Sequence, residues 1–98
     1  MVLFVRHDLK MGKGKIGAQC SHAMLKLVKQ NIKDKSIKQF LSKKPHDRLV
    51  SVFKASSQED LFNLKQEYDQ VPHCVIRDAG RTQIAKGTYT VLGVFLTV

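Results

Sequence analysis

At 98 residues the chain makes one domain, long enough to bury about 60 to 70% of its unfolded surface without a disulfide or metal staple. An apolar share of 43% is ordinary for a globular protein, but 17 Lys and Arg against 8 Asp and Glu leave a formal charge of +9. That excess points to an anionic partner, nucleic acid ahead of a membrane surface. No run approaches the roughly 18 apolar residues of a membrane span, and the opening MVLFV is too short and too uncharged for a signal peptide. A cytoplasmic protein without a membrane partner is therefore expected. Cys20 and Cys74 accordingly read as reduced core residues, not as a disulfide or a nucleophile.

Val2 to Val5 is a continuous apolar run, as expected of a central strand covered on both faces. A glycine-and-lysine turn then leads into a helix predicted over Lys15 to Gln30. Ile16, Cys20, Ala23, Met24, Leu27 and Val28 share its core side, and Lys15, Gln19, His22, Lys26 and Lys29 form a basic, hydrogen-bonding stripe beside them. Gly12 and Gly14 permit a tight path before the helix, whose unpaired N–H groups suit a phosphate or a developing oxyanion. After a lysine-rich connection, Ile37 to Leu41 reads as a short second helix ended by Pro45, and Leu49 to Lys54 as a second strand. Ser56 with Glu59 matches a capping box that opens a third helix from about Gln58 to Asp69, stopped by Pro72. His73 to Arg77 is a third predicted strand, Asp78-Ala79-Gly80 a turn, and Thr88 to about Thr97 a fourth strand.

This order implies an α/β fold: a single compact domain with a four-stranded mixed sheet, helices on both faces and a last strand that returns antiparallel. Ligands of such sheets settle outside the carboxyl ends of the parallel strands. The first strand ends at Arg6 to Asp8, the third at Asp78, and the returning strand begins near Thr88 and Thr90. Separate pieces of the chain thus converge on one rim.

Gly12 to Gly17 literally matches G-x-G-x-x-G, but Arg6 to Met11 separates it from its strand, and the region some 20 residues on is lysine-rich instead of ending a strand in an acid. A nicotinamide enzyme is disfavoured, free-nucleotide binding is a weak third reading, and no P-loop is present. His7, His22, His46 and His73 lack the paired spacing of metal ligands. Cys20 and His22 do not face each other on a helix, so a nucleophile dyad fails. What remains is an amine, an acid and hydroxyls: Lys15, Asp78, Thr82 and Thr90, with Gln19 and His22 one and two turns along. Such a set can direct water onto an activated acyl carbonyl, Lys15 and backbone N–H groups stabilising the oxyanion. An Asp beside a Lys is a poor base at neutral pH, so Asp78 orients the water or Lys15. The plainer alternative is that Asp78 merely closes an Asx turn and Thr82 caps the loop.

Two blocks, VRHDLKMGKGKIGAQCSHA from Val5 to Ala23 and DAGRTQIA from Asp78 to Ala85 followed by GTYTVLG from Gly87 to Gly93, resemble the archaeal and eukaryotic (second) class of peptidyl-tRNA hydrolase. The resemblance covers nearly the whole chain. It implies a compact α/β domain, commonly a homodimer, that cleaves the ester between a peptide and the 3′ end of tRNA without a cofactor or metal. The family's catalytic residues correspond to Lys15, Asp78, Thr82 and Thr90, and Gln19 and His22 line the same cleft. Arg6, Asp8, Lys10, Lys13, Lys26 and Arg81 join those two as candidate substrate-binding residues, the lysines holding tRNA phosphates. Family members usually continue past the last strand with a Gly-Pro turn and a closing segment, whereas this chain reads GVFLTV to Val98; a less covered sheet edge or face is expected. Eukaryotic members often carry an N-terminal hydrophobic anchor; none is read in these residues, and membrane tethering is not expected. The competing reading is a non-enzymatic RNA-binding module that shares the fold.

Overall fold

Leu3, Phe4 and Val5 are all buried, which is why the first strand, β1 (Val2–Arg6), sits inside the sheet and not at its edge. The computed structural model describes residues 1–80 and 84–96. After β1 come α1 (Lys13–Gln30), α2 (Lys35–Ser42), a 3₁₀ turn (Pro45–Asp47), β2 (Ser51–Ala55), α3 (Gln58–Glu67), β3 (His73–Arg77) and β4 (Tyr89–Val94). The sheet order is β2-β1-β4-β3. β1 runs parallel to β2, from Val2 opposite Ser51 to Arg6 opposite Ala55, and antiparallel to β4, from Val2 opposite Val94 to Val5 opposite Val91. β3 pairs antiparallel with the other side of β4, with a register shift between Ile76 and Arg77. The expected mixed sheet is present, and the last strand is inserted between β1 and β3.

The period-2 alternation of β1 divides the core in two. Leu3 and Val5 join Ala23 and Leu27 of α1, Ile37 and Phe40 of α2, and Phe95; Phe4 joins Leu61 of α3 with Leu92 and Val94. Helices therefore cover both faces. Ala23 and Leu27 are fully buried, while Ile16, Cys20, Met24 and Val28 pack half-buried beside them, so the apolar stripe of α1 faces the sheet as its spacing predicts. Burial of a leucine such as Leu27 contributes about 1.5–3 kcal/mol.

Several boundaries differ from the sequence expectation, each for a local reason. α1 starts at Lys13, two residues early, because extended Gly12 (φ −65°, ψ 159°) serves as its N-cap without a side-chain bond. α2 gains a turn because Asp34 caps it, accepting from the Ser36 N–H at 2.8 Å. It stops at Ser42, and Pro45 opens the 3₁₀ turn instead of terminating the helix. β2 begins at Ser51, where pairing with β1 starts opposite Val2. The cap of α3 is Ser57, not Ser56: Ser57 Oγ accepts from the Asp60 N–H at 3.1 Å, and Asp60 Oδ2 accepts from the Ser56 N–H at 2.9 Å. Two serines followed by two acids offer overlapping frames. α3 ends at Glu67 with Tyr68 as C-cap, short of Asp69 and Pro72. β4 is shorter than Thr88 to Thr97, and Thr97 lies outside the described residues.

Candidate active site

β1, β2 and β3 all end, and β4 begins, at one edge of the molecule. There Lys15, in the first turn of α1, meets Asp78, the residue after β3: Nζ lies 2.5 Å from Oδ1, with side-chain exposures of 21% and 2%. The two groups come from opposite ends of the chain. The Asp78 backbone is clamped, its N–H donating to the Thr88 carbonyl and its carbonyl accepting from the Gly87 N–H, each at 2.8 Å. Its second carboxylate oxygen, Oδ2, accepts from the Gly80 N–H at 2.7 Å. Gly80 has φ +77°, and an added Cβ would lie 2.7 Å from that of Lys86; only glycine fits. The Asx turn and the ion pair are thus both present, on different oxygens of one carboxylate. The Lys15 hydrogen bond first, then the Gly80 N–H, holds the Asp78 carboxyl below the usual range. It stays an anion at neutral pH, suited to fixing an ammonium and ill suited to accepting a proton.

Behind the pair runs a buried chain of hydrogen bonds. Thr90 is fully buried; its hydroxyl donates to the Ile76 carbonyl at 3.2 Å and accepts from Gln19 Nε2 at 3.1 Å. Gln19 Oε1 lies 3.3 Å from His22 Nδ1, and His22 is exposed. The second stripe of α1 is therefore pinned to β4 and β3 by the Gln19–Thr90 contact.

The pair opens on a cleft of about 620 Å³ lined by Asp8, Leu9, Lys10, Met11, Gly12, Lys15, Ile84, Ala85 and Thr88. No side chain caps the first turn of α1 and no acid lies in it, so the positive end of an 18-residue helix adjoins the cleft through Gly12. Lys10 is exposed on the cleft wall in left-handed backbone (φ 52°), and Lys13 is exposed at the helix start. Arg6 is 8% exposed. Its Nε and Nη2 donate to the Asp8 carboxylate at 3.0 and 2.6 Å, and its Nη1 to Gln58 Oε1 and the Tyr89 carbonyl at 3.3 and 3.2 Å. Arg6 and Asp8 thus engage each other and brace the loop that walls the cleft, a role the apolar run before them did not reveal; the Arg-x-Asp spacing at a strand end was its one signal. Lys26 lies farther along α1, its Nζ donating to the Val75 carbonyl at 3.2 Å. Arg81 and Thr82 lie outside the described residues.

Both cysteines are free, and burial pushes both thiols up. Cys74 donates to the Ala23 carbonyl at 3.3 Å. Neither has the thiolate character of a nucleophile. Among the described residues, no three His, Cys, Asp or Glu side chains gather as a metal site.

An ammonium fixed over an apolar-walled cleft, beside an uncapped helix start, can polarise a carbonyl for attack by water. Fold and rim together define a small α/β domain with an ammonium–carboxylate pair at its ligand-binding edge. The family model for peptidyl-tRNA hydrolase PTH2 matches residues 1–96, and the chain belongs to that family. It is 42% identical to the peptidyl-tRNA hydrolase of Haloquadratum walsbyi over 94 residues, covering 94% of this chain and 80% of that protein. It is 42% identical to that of Metallosphaera sedula over 97 residues, covering 96% and 83%. With the human mitochondrial peptidyl-tRNA hydrolase 2 it shares 44% over 96 residues, 96% of this chain but 53% of that protein. The chain thus spans about four fifths of these archaeal relatives and about half of the human one.

Proposed function

We propose that the Lys15–Asp78 cleft hydrolyses the ester joining a peptide to the 3′ end of tRNA, the reaction for which the family is named. The observation that carries this assignment is the 2.5 Å contact between Lys15 and Asp78. Water adds to the ester carbonyl, and the developing oxyanion is stabilised by the Lys15 ammonium and the N–H groups at the start of α1. Collapse breaks the bond to the ribose oxygen; the water oxygen leaves in the peptide carboxylate, one water proton ends on the ribose hydroxyl, and the other passes to solvent. Asp78 keeps Lys15 aimed, and Thr90 with Gln19 positions α1 against β4. Thr82 enters this scheme only through the family resemblance. Lys10 on the cleft wall, Lys13 at the start of α1 and His22 farther along that helix offer contacts for the acceptor end.

Incubation with N-acetylated aminoacyl-tRNA tests the assignment. Lys15→Ala and Asp78→Ala are each expected to lower ester release by about 10²- to 10³-fold. Salt-sensitive tRNA binding without turnover in the unaltered protein would leave the non-enzymatic module in its place; nothing in the family match favours that reading.

A homodimer and a cytoplasmic location belong to the same proposal. Exposed Val52 and Phe53 on the edge strand β2 support pairing with a second copy, and light scattering at micromolar concentration decides it. Two unpaired thiols are in keeping with a reducing compartment. No helix among the described residues is long and apolar enough to cross a membrane.

A further inference from the structure

β3 is an outer strand, and along its open edge runs a second groove, of about 470 Å³, unrelated to the ester cleft in its lining. α1 supplies Lys26 and Gln30 on one side; Lys65 of α3, Arg77 and Tyr89 complete the other. It carries three permanent cations from three different elements, and no carboxylate lines it. Arg77 is already ordered: its guanidinium lies 4.8 Å from the centre of the Tyr89 ring, and its Nη2 donates to the Tyr89 hydroxyl at 2.7 Å. Tyr89 is in turn held edge-to-face by Phe62 at 4.9 Å. A lysine laid over a sheet edge also discourages edge-to-edge pairing, which accounts for Lys26, but not for cations brought to the same groove by α3 and by β3 itself.

We infer that this groove binds the phosphate backbone of the substrate tRNA upstream of its esterified end. The inference rests on the peptidyl-tRNA reading and says where the rest of that substrate lies. Arg77 directly precedes Asp78, and Tyr89 precedes Thr90, so groove and cleft share the same strand ends. Along α1, eleven residues separate Lys15 from Lys26, a rise of about 16 Å. At about 3.4 Å per nucleotide in a stacked strand, that places the groove about five nucleotides from the reacting ester. A preordered arginine and two lysines suit phosphate oxygens, which position without reading sequence.

The test compares two substrates, full-length N-acetylated aminoacyl-tRNA and the same ester on a 3′-terminal dinucleotide too short to reach the groove. For the Lys26→Gln, Lys65→Gln, Arg77→Gln triple variant, the loss in kcat/KM on full-length tRNA is expected to exceed the loss on the short ester by tenfold or more. The dependence of log(kcat/KM) on log salt should flatten by about two to three, near one per lost phosphate contact. Lys65→Glu alone, on the surface of α3, should move the same ratio by threefold or more, which guards against a folding defect in the triple variant. Equal losses on both substrates would overturn the inference. So would an equal effect from Lys33→Gln, Lys35→Gln, Lys38→Gln, which removes the same charge from an exposed region outside the groove. An unaltered protein inactive on both substrates would instead fail the peptidyl-tRNA reading itself.

Discussion

Thr90→Val isolates one hydroxyl with little change of shape. In the native chain that hydroxyl accepts from Gln19 at 3.1 Å and donates to the Ile76 carbonyl at 3.2 Å, in a residue with no exposed surface. Valine removes one hydrogen bond from each partner, while Gln19 keeps its contact with His22 and Ile76 its pairing with Val91. The two buried hydrogen bonds lost cost together about 1–3 kcal/mol. In a domain of this size that corresponds to a fall in Tm of about 5–20 °C. Urea unfolding measures the stability loss, and ester release at saturating tRNA measures the chemistry. Because the hydroxyl is spent inside the fold, turnover is expected to fall by less than about tenfold, against about 10²- to 10³-fold for Lys15→Ala. Thr90→Ser, which keeps the oxygen, should recover most of the stability. If Thr90→Val instead matched Lys15→Ala in lost turnover with an unchanged urea midpoint, the hydroxyl would have to reach the reacting atoms, and the positioning role would be refuted.

Asp78 is held below the ordinary carboxylate range, so its ionisation stabilises the fold above the pKa of a free aspartate, about 3.9, and the contribution is lost as pH falls through the lower folded value. The stability gap between the native chain and Asp78→Asn, followed by urea unfolding from pH 7 to pH 2, should therefore narrow only below about pH 4; a gap that closes between pH 7 and pH 5 would contradict the assignment. Gly80→Ala forces a side chain into φ +77° and against Lys86 Cβ at 2.7 Å, and is expected to cost about 1–3 kcal/mol with a matching loss of activity as the Asp78 turn loosens. Leu27→Ala, at a site with no exposed surface, should cost about 2–5 kcal/mol in urea while leaving KM for tRNA within about twofold, since no part of Leu27 lines the cleft.

Element order was legible in the chain because each element carries its own period: the unbroken run of Val2 to Val5, the stripe from Ile16 to Val28, the β-rich tail after Thr88. The meeting of Lys15 and Asp78 was legible too, through the rule that parallel strands present their carboxyl ends together. What escaped depends on three-dimensional competition. Periodicity cannot say which of Ser56 and Ser57 wins a cap when Glu59 and Asp60 serve either frame. It cannot say that Arg6, at the end of an apolar strand, turns inward to three partners. Nor does any local signal put β4 between β1 and β3, and the β3-edge groove exists only because of that placement.

The insertion of β4 has a temporal consequence. Chains emerge from the ribosome N-terminus first, and until residues 89–94 arrive, the β1–β2 pair and β3 have no strand between them to complete the sheet. Gln19 then has no Thr90 to grip and Arg6 no Tyr89 carbonyl to donate to. An activity directed at unfinished peptides on tRNA would thus be withheld from this protein's own nascent form and switched on by one late strand.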